Sequence, residues 1–473
     1  MTERLPKMVL TAGAVLFPLL LVYFAFSRPG YFSSPNFLAE LIGFELLVAA
    51  LWMYRRIFLT LVILAFLFAG TDVPFGGMWT TARWGFLLAG AAVGCFIMLK
   101  ERGGRFGLFH ALSILAILSA LVSAAVSRYP GFAFLKAVSL LLLFVYAGSG
   151  ARLAVAGREQ RFIAGLLSGS EIFVGAVAAF YFLGTEVMGN PNSLGAVMAV
   201  VAPILLWGML NDPAPLVYYR RLLLFALCMY LLFQSHSRAG LAAAFFSCCL
   251  LCLALRQYKL FGQGMIILLV MVTSAAIFDP VAFSARVSSL TTSIVYKDKD
   301  PSQGIFASRQ SPWRAATDSI RKHLWFGSGF GTTDAGQDAS AHLSKFTSTS
   351  DATTENGSSY LTITSWVGIV GVGPFLFLLF ALAGKILRTV LWMLNTASPF
   401  HPAVPVAMVV VSGLLHAGFE DWMFAPGYYL CVFFWSFAFI LVDLAPWAPL
   451  PSFNFSWRRW LMRQDMGNVV PSR

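Results

Sequence analysis

The residues of this chain that could hold an anion or move a proton gather in a few short stretches. One is Gln234-Ser235-His236-Ser237-Arg238-Ala239-Gly240, and a second centres on Arg309 and Arg314. Others are Thr354-Glu355-Asn356-Gly357-Ser358-Ser359-Tyr360, Gly189-Asn190-Pro191-Asn192-Ser193, and the trio His416, Glu420 and Asp421. A guanidinium fork grips phosphate or carboxylate through two parallel hydrogen bonds, and a carboxylate or imidazole can accept a proton in a reaction. Each residue has a plainer reading beside the chemical one. Arg238 could meet a lipid phosphate at an interface, Arg314 could be a solvated helix residue, and Glu355 a surface carboxylate. His416 and Glu420, spaced i, i+4, can share one helix face and either line a cavity or pair at an interface. Arg128 and Lys136 bracket the start of an apolar run, where Lys136 either lines a cavity or snorkels outward. Glu40, Glu45 and Glu171 are candidates for internal pairing.

Metal chemistry finds little support. Cys249 and Cys252 have CxxC spacing but lie in an apolar run without His or carboxylate nearby. Asp298-Lys299-Asp300 imitates the DxD of metal-dependent sugar-nucleotide transferases, yet reads as an ordinary charged loop. Gly327–Gly331 is followed by no Lys-Ser/Thr and preceded by no strand, so it is a turn and not a phosphate loop.

The elements that must carry these residues are membrane helices. The chain is 58% hydrophobic and only 11% charged, with a mean hydropathy of +0.76. Apolar runs near the ~20 residues needed to cross a ~30 Å hydrocarbon core recur throughout, and backbone in lipid must pair within itself. The expected architecture is an all-α polytopic bundle of about 14 transmembrane helices. They fall near 8–26, 37–54, 57–70, 84–99, 107–126, 132–149, 162–183, 194–209, 222–235, 239–255, 260–278, 360–382, 403–419 and 427–444. Four regions follow: helices 1–11 over 1–278, a loop or cap over 279–359, helices 12–14 over 360–450, and a tail over 451–473.

Charge in the short loops orients the bundle. With the N-terminus inside, twenty of the 33 basic residues fall on the cytoplasmic side, against Arg28, Arg83, Arg128 and Arg238 in short outer loops. Both termini are then cytoplasmic and the long loop faces outward. The net charge of +12 reflects this topology and not a nucleic-acid surface, because basic residues scattered two or three per loop make no continuous groove. The six cysteines all fall within spans, so no disulfide framework is implied. Within the long loop, Ser311 suits an N-cap and Pro312 a first helical position. Trp313, Ala316, Ile320 and Leu324 then follow at helical spacing, predicting a short amphipathic helix closed by Gly327, Gly329 and Gly331.

Taken in order, these motifs resemble the O-antigen ligase and Wzy-type polymerase superfamily. The features are Asn190-Pro191-Asn192, Ser237-Arg238-Ala239-Gly240, and Arg309 ahead of Trp313 and Phe326-Gly-Ser-Gly-Phe-Gly. Glu355-Asn356 leading into Tyr360-Leu361 and Trp366-Val-Gly-Ile-Val-Gly completes them, and the resemblance spans about residues 100–445. It implies a GT-C-like bundle in a bacterial inner membrane. It also implies transfer of glycan from an undecaprenyl-diphosphate carrier at the periplasmic face, with no nucleotide sugar, metal or other cofactor. Arg238, Arg309 and Glu355 become the expected catalytic set, the arginines holding the diphosphate and Glu355 acting as base or orienting the acceptor. Arg314, Arg128, Lys136, Asn190, Asn192, His416, Glu420 and Tyr360 become expected substrate-binding residues. The expected partners are the lipid-linked glycan, the bilayer, a chain-length regulator and a flippase, with no nucleic acid. Ligases of this family typically carry His where Glu355 stands, which tilts the expectation toward a polymerase. The competing readings are a transporter of polysaccharide, lipid-linked glycan or small anion, which should show repeat symmetry and broken helices near the midplane, and a sensor or assembly scaffold.

Overall fold

The computed structural model describes residues 35–71, 76–101, 106–185, 188, 190–211, 214–290, 292, 306–332 and 357–446, with scattered residues between 11 and 30. Glu355, Asp298-Lys299-Asp300 and the tail from Pro451 lie outside the described residues. The fold is helical, with no strand among the described residues. In chain order the helices are α1 Pro35–Trp52, α2 Tyr54–Ala69, α3 Gly76–Glu101, α4 Leu108–Val126 and α5 Pro130–Val155. Then come α6 Glu159–Phe182, α7 Pro191–Asn211, α8 Pro215–Gln234, α9 Arg238–Ala254 and α10 Tyr258–Phe278. The last are α11 Pro280–Leu290, α12 Ala307–Lys322, α13 Ser359–Thr396, α14 Ala403–Ala417 and α15 Tyr429–Leu444. Seven of them are long and apolar enough to cross a membrane, and shorter apolar helices include α9, α14 and α15.

Burial separates the centre from the rim. α7 and α15 are apolar around most of their circumference and buried along most of their length, with Trp207 buried and Trp435 fully enclosed. α4, α6 and α8 instead expose Leu115, Leu118, Ile172 and Leu223 on their outward faces. Such a belt would be an aggregation surface in water; against lipid it is simply solvated. Three ion pairs at two carboxylates brace the bundle. Arg152 forks onto Asp443 at 2.5 and 2.8 Å and reaches His110 Nε2 at 2.8 Å, while Glu171 is held between Arg220 at 2.7 Å and Arg221 at 2.8 Å. Glu171 is thus internally paired, as expected for a carboxylate inside a span.

The structure corrects several boundaries. Arg83 is not in a loop but inside α3, because the helix begins at Gly76. The amphipathic helix of the long loop starts at Ala307, so Ser311 is no cap and Pro312 lies in its interior. The same loop contains a second helix, α11, that its weak periodicity did not reveal. α14 stops at Ala417, so Glu420 lies beyond its end and shares no helix face with His416.

α13 is the exception to regular geometry. Its 38 residues would run about 57 Å as one helix, nearly twice a ~30 Å core. It is in fact two helices joined at Gly368, whose φ of 69° and ψ of −178° lie in a region essentially reserved for glycine. The turn expected at Gly327–Gly331 docks into this break. Ser328 N–H donates to Ser365 O at 3.0 Å and Gly329 N–H to Trp366 O at 3.1 Å; Ile369 and Val370 N–H donate back to Leu324 O and Trp325 O at 2.9 and 3.2 Å. α4 supplies Ser119 and Ser123 along one face, and Ser127 caps its end. Their hydroxyls donate to Gly371 O, Trp366 O and Ser328 O at 2.8, 2.6 and 3.2 Å. Backbone groups freed by the kink are therefore re-satisfied inside the protein, the condition for irregular backbone among membrane helices.

Candidate functional site

The docked turn fixes α12 over one end of the bundle, and this is where the expected polar residues meet. Arg309 sits in the first turn of α12 and forms an ion pair with Glu420, through Nη2 and Oε1, each side chain only 14% exposed. Two local contacts hold α12 there. Trp313 Nε1–H donates to Gly357 O at 3.1 Å, and Gly357, at a φ of 67°, brings its Cα against the Arg309 side chain. Glu420 is held through its backbone, since its carbonyl accepts from Ser359 N at 2.9 Å and Ser359 Oγ at 2.7 Å. The same Oγ accepts from Met423 N at 3.0 Å. The start of α13, the segment after α14 and α12 are thereby tied together around one guanidinium.

Arg238 and His416 both lie within electrostatic reach of Arg309. Arg238 opens α9, and the motif around it is a packing device. Ser237 is the N-cap, accepting from Gly240 N at 3.2 Å, and His236 adopts a left-handed φ of 51°. Gly195 of α7 and Gly240 of α9 touch so closely that a Cβ on Gly240 would lie 2.7 Å from Gly195 O. Ser-Arg-Ala-Gly is thus the geometry that lets α9 begin at this spot with an arginine on its first position. His416 is 2% exposed. Its Nδ1 accepts from Trp422 Nε1–H at 2.8 Å, so Nε2 carries the hydrogen, buried and without an acceptor among the described residues. Tyr360 lies at the base of this group, its hydroxyl donating to Leu414 O at 2.8 Å.

The other expected residues stand apart from this cluster. Arg314 is exposed on α12. Asn190 Oδ1 accepts from Asn192 N at 2.9 Å, and with Pro191 next to it the Asn-Pro-Asn motif builds the start of α7. Neighbouring Ser193 meets Tyr428 Oη at 3.0 Å. Arg128 is exposed with its guanidinium over the Tyr129 ring, and Lys136 packs under Gly331 with its ammonium over Phe132. Lys136 lies within electrostatic reach of a second cation, Arg83. That residue is 4% exposed, donates through Nη1 to Gly427 O at 2.7 Å, and lies over Phe66 and Trp84. An arginine beside Trp84 in the first third of an apolar helix is the signal that could have marked it. The segment between α14 and α15 therefore has cations at both ends, Arg309 on Glu420 and Arg83 on Gly427.

A multi-pass helical membrane protein with an ion-paired arginine on a docked helix, within electrostatic reach of a second arginine, is the class this geometry defines. Among the described residues no cluster of His, Cys, Asp or Glu is arranged to hold a metal ion. The segment from α8 to the middle of α13 narrows the class further. Residues 223–378, about a third of the chain, match the family model of O-antigen ligase, a likeness that supports the O-antigen ligase and Wzy-type superfamily, whose members are membrane enzymes acting on lipid-linked glycans. The match contains Arg238, Arg309, Glu355, Tyr360 and the Gly368 break; it leaves out Arg128, Lys136, Asn190, Asn192, His416 and Glu420. No curated protein matches the chain.

Proposed function

We propose that this protein is a glycosyltransferase that polymerises, or alternatively ligates, undecaprenyl-diphosphate-linked glycan at the periplasmic face of the bacterial inner membrane, with polymerisation preferred. The reading takes the fourteen-span topology with both termini cytoplasmic, which puts Arg309 and Arg238 at the outer end. Its chief support is that ion-paired Arg309 lies within electrostatic reach of Arg238, both inside a segment matching O-antigen ligase. As the glycosidic bond breaks, negative charge grows on the departing diphosphate. Two preorganised guanidinium groups beside low-dielectric walls stabilise that charge more than water would. Glu420 engages Nη2 of Arg309, which orients the fork and leaves its other N–H donors for phosphate oxygens. His416 Nε2–H is a further donor in the same neighbourhood. Glu355 takes the proton of the acceptor hydroxyl, or orients that hydroxyl, one residue before Asn356-Gly357.

A transporter would use broken-helix termini near the midplane as its ligand site. The break in α13 does not suit that role, since the chain's own Ser328, Gly329, Leu324 and Trp325 already occupy its backbone groups. The deciding experiment is a deletion strain examined for lipid-linked intermediates. Single repeat units accumulating on the carrier mean a polymerase, and finished chains on the carrier mean a ligase. Neither accumulating would overturn the glycosyltransferase reading.

A further inference from the structure

A second groove is lined by none of Arg238, Arg309, His416 and Glu420. α2, α6, α7 and α15 enclose a cavity of about 320 Å³ whose walls are apolar, among them Leu59, Ile63, Phe162, Phe173, Val201 and Phe437. At one end three arginines line it, Arg56, Arg158 and Arg161, and no acidic side chain does. Arg158 is steadied by donating to Arg55 O at 2.5 Å. The floor is opened by Gly165 and Gly169, one turn apart on α6. A Cβ at either would meet no atom within 4 Å, so these glycines leave room in the groove instead of packing one helix on another.

We infer that this groove is a binding site for one anionic diacyl phospholipid of the leaflet at the arginine end, its phosphate on Arg56, Arg158 and Arg161 and an acyl chain along Gly165 and Gly169. The dimensions agree. From Arg56 to Leu67 along α2 is about 16 Å, and from Arg158 to Phe173 along α6 about 22 Å. One leaflet with its headgroups is about 20–22 Å, half of a ~40–45 Å bilayer. The charges agree too, because three cations in the lining, with Glu159 turned to Gly157 N and outside that lining, favour a lipid of net negative charge over a zwitterion. This site stands whatever glycan is handled at the other end.

The test is native mass spectrometry of the full chain from vesicles of phosphatidylethanolamine and phosphatidylglycerol. One phosphatidylglycerol should stay bound, enriched on the order of tenfold over its share of the vesicle. Arg56→Gln/Arg158→Gln/Arg161→Gln should still carry a lipid but lose the enrichment. If that variant fails to fold, the exposed pair Arg56→Gln/Arg161→Gln gives the same readout. Gly165→Leu/Gly169→Leu, which fills open space, should lose the bound lipid altogether. Equal retention of both lipids by the wild type, enrichment untouched by the arginine changes, or a co-purifying isoprenyl diphosphate in place of phospholipid would each overturn the assignment.

Discussion

Arg309 and Glu420 present a choice that their burial decides. An exposed ion pair contributes at most about 1 kcal/mol, but these side chains are each 14% exposed. Removing one partner of such a pair strands a charge and costs on the order of 3–5 kcal/mol. Glu420→Gln is therefore expected to lower thermal stability measurably and to weaken turnover by misplacing the Arg309 fork. Arg309→Ala and Arg238→Ala should each reduce transfer by about 10²–10³-fold, the scale of losing one donor to a developing anion. Arg314→Ala, on an exposed residue five positions further along α12, should leave transfer within about threefold of wild type, as surface substitutions away from the chemistry usually do. Product chain length and turnover in membranes carrying each variant check all four. Equal losses at Arg314 and Arg309 would mean that α12 acts as a charged surface and not through one placed fork. The arginines were legible in the sequence because charged residues are rare in so apolar a chain. The partner was not, since Glu420 meets Arg309 across 111 positions and its spacing from His416 suggested a helix face that ends too early.

Among the elements, α13 depends on two backbone approaches that leave no room for a side chain. A Cβ on Gly368 would lie 2.4 Å from the Trp325 carbonyl, and one on Gly327 2.1 Å from Trp366 O, both at positive φ. Gly368→Ala should therefore detach the 324–332 turn, and with it α12 and Arg309. Stability should fall by more than about 1 kcal/mol, with transfer activity falling at least as much as in Arg309→Ala. Gly373, five residues on in the same helix, faces open space, and Gly373→Ala should be neutral or stabilising by up to about 1 kcal/mol. Thermal midpoints of the two variants in one detergent make the comparison; matching midpoints would mean that the turn contributes nothing. The sequence announced glycines at both places but not their partnership, because the hydrogen bonds run between carbonyls and amides that every residue carries. A legible trace did exist in Ser119 and Ser123, spaced i, i+4 on α4, with Ser127 four residues on at its C-cap. That is the pattern of a face serving another segment's backbone.

For the whole molecule, the apolar periodicity located helices well because a run long enough to cross lipid has few other solutions. It located ends poorly, as α3 and α13 exceed their apolar runs and carry Arg83 and the Gly368 break inside helix. Sidedness is a separate matter, resting on the distribution of Lys and Arg. The proposed orientation makes opposite demands on two exposed positions. Thr185 follows α6, on the same side as Arg309, and Thr396 ends α13 at the other. Thr185→Cys should react with a membrane-impermeant maleimide in intact, outer-membrane-permeabilised cells. Thr396→Cys should react only after the inner membrane is opened, with the wild-type chain and its six cysteines as background. The reverse pattern would turn the bundle over. Arg309 and Arg238 would then face the cytoplasm, where nucleotide-activated donors are present, and a carrier-linked donor would lose its physical rationale. Labelling of both positions from outside would mean an even number of crossings between them and so break the odd count that the proposed spans α7, α8, α9, α10 and α13 require.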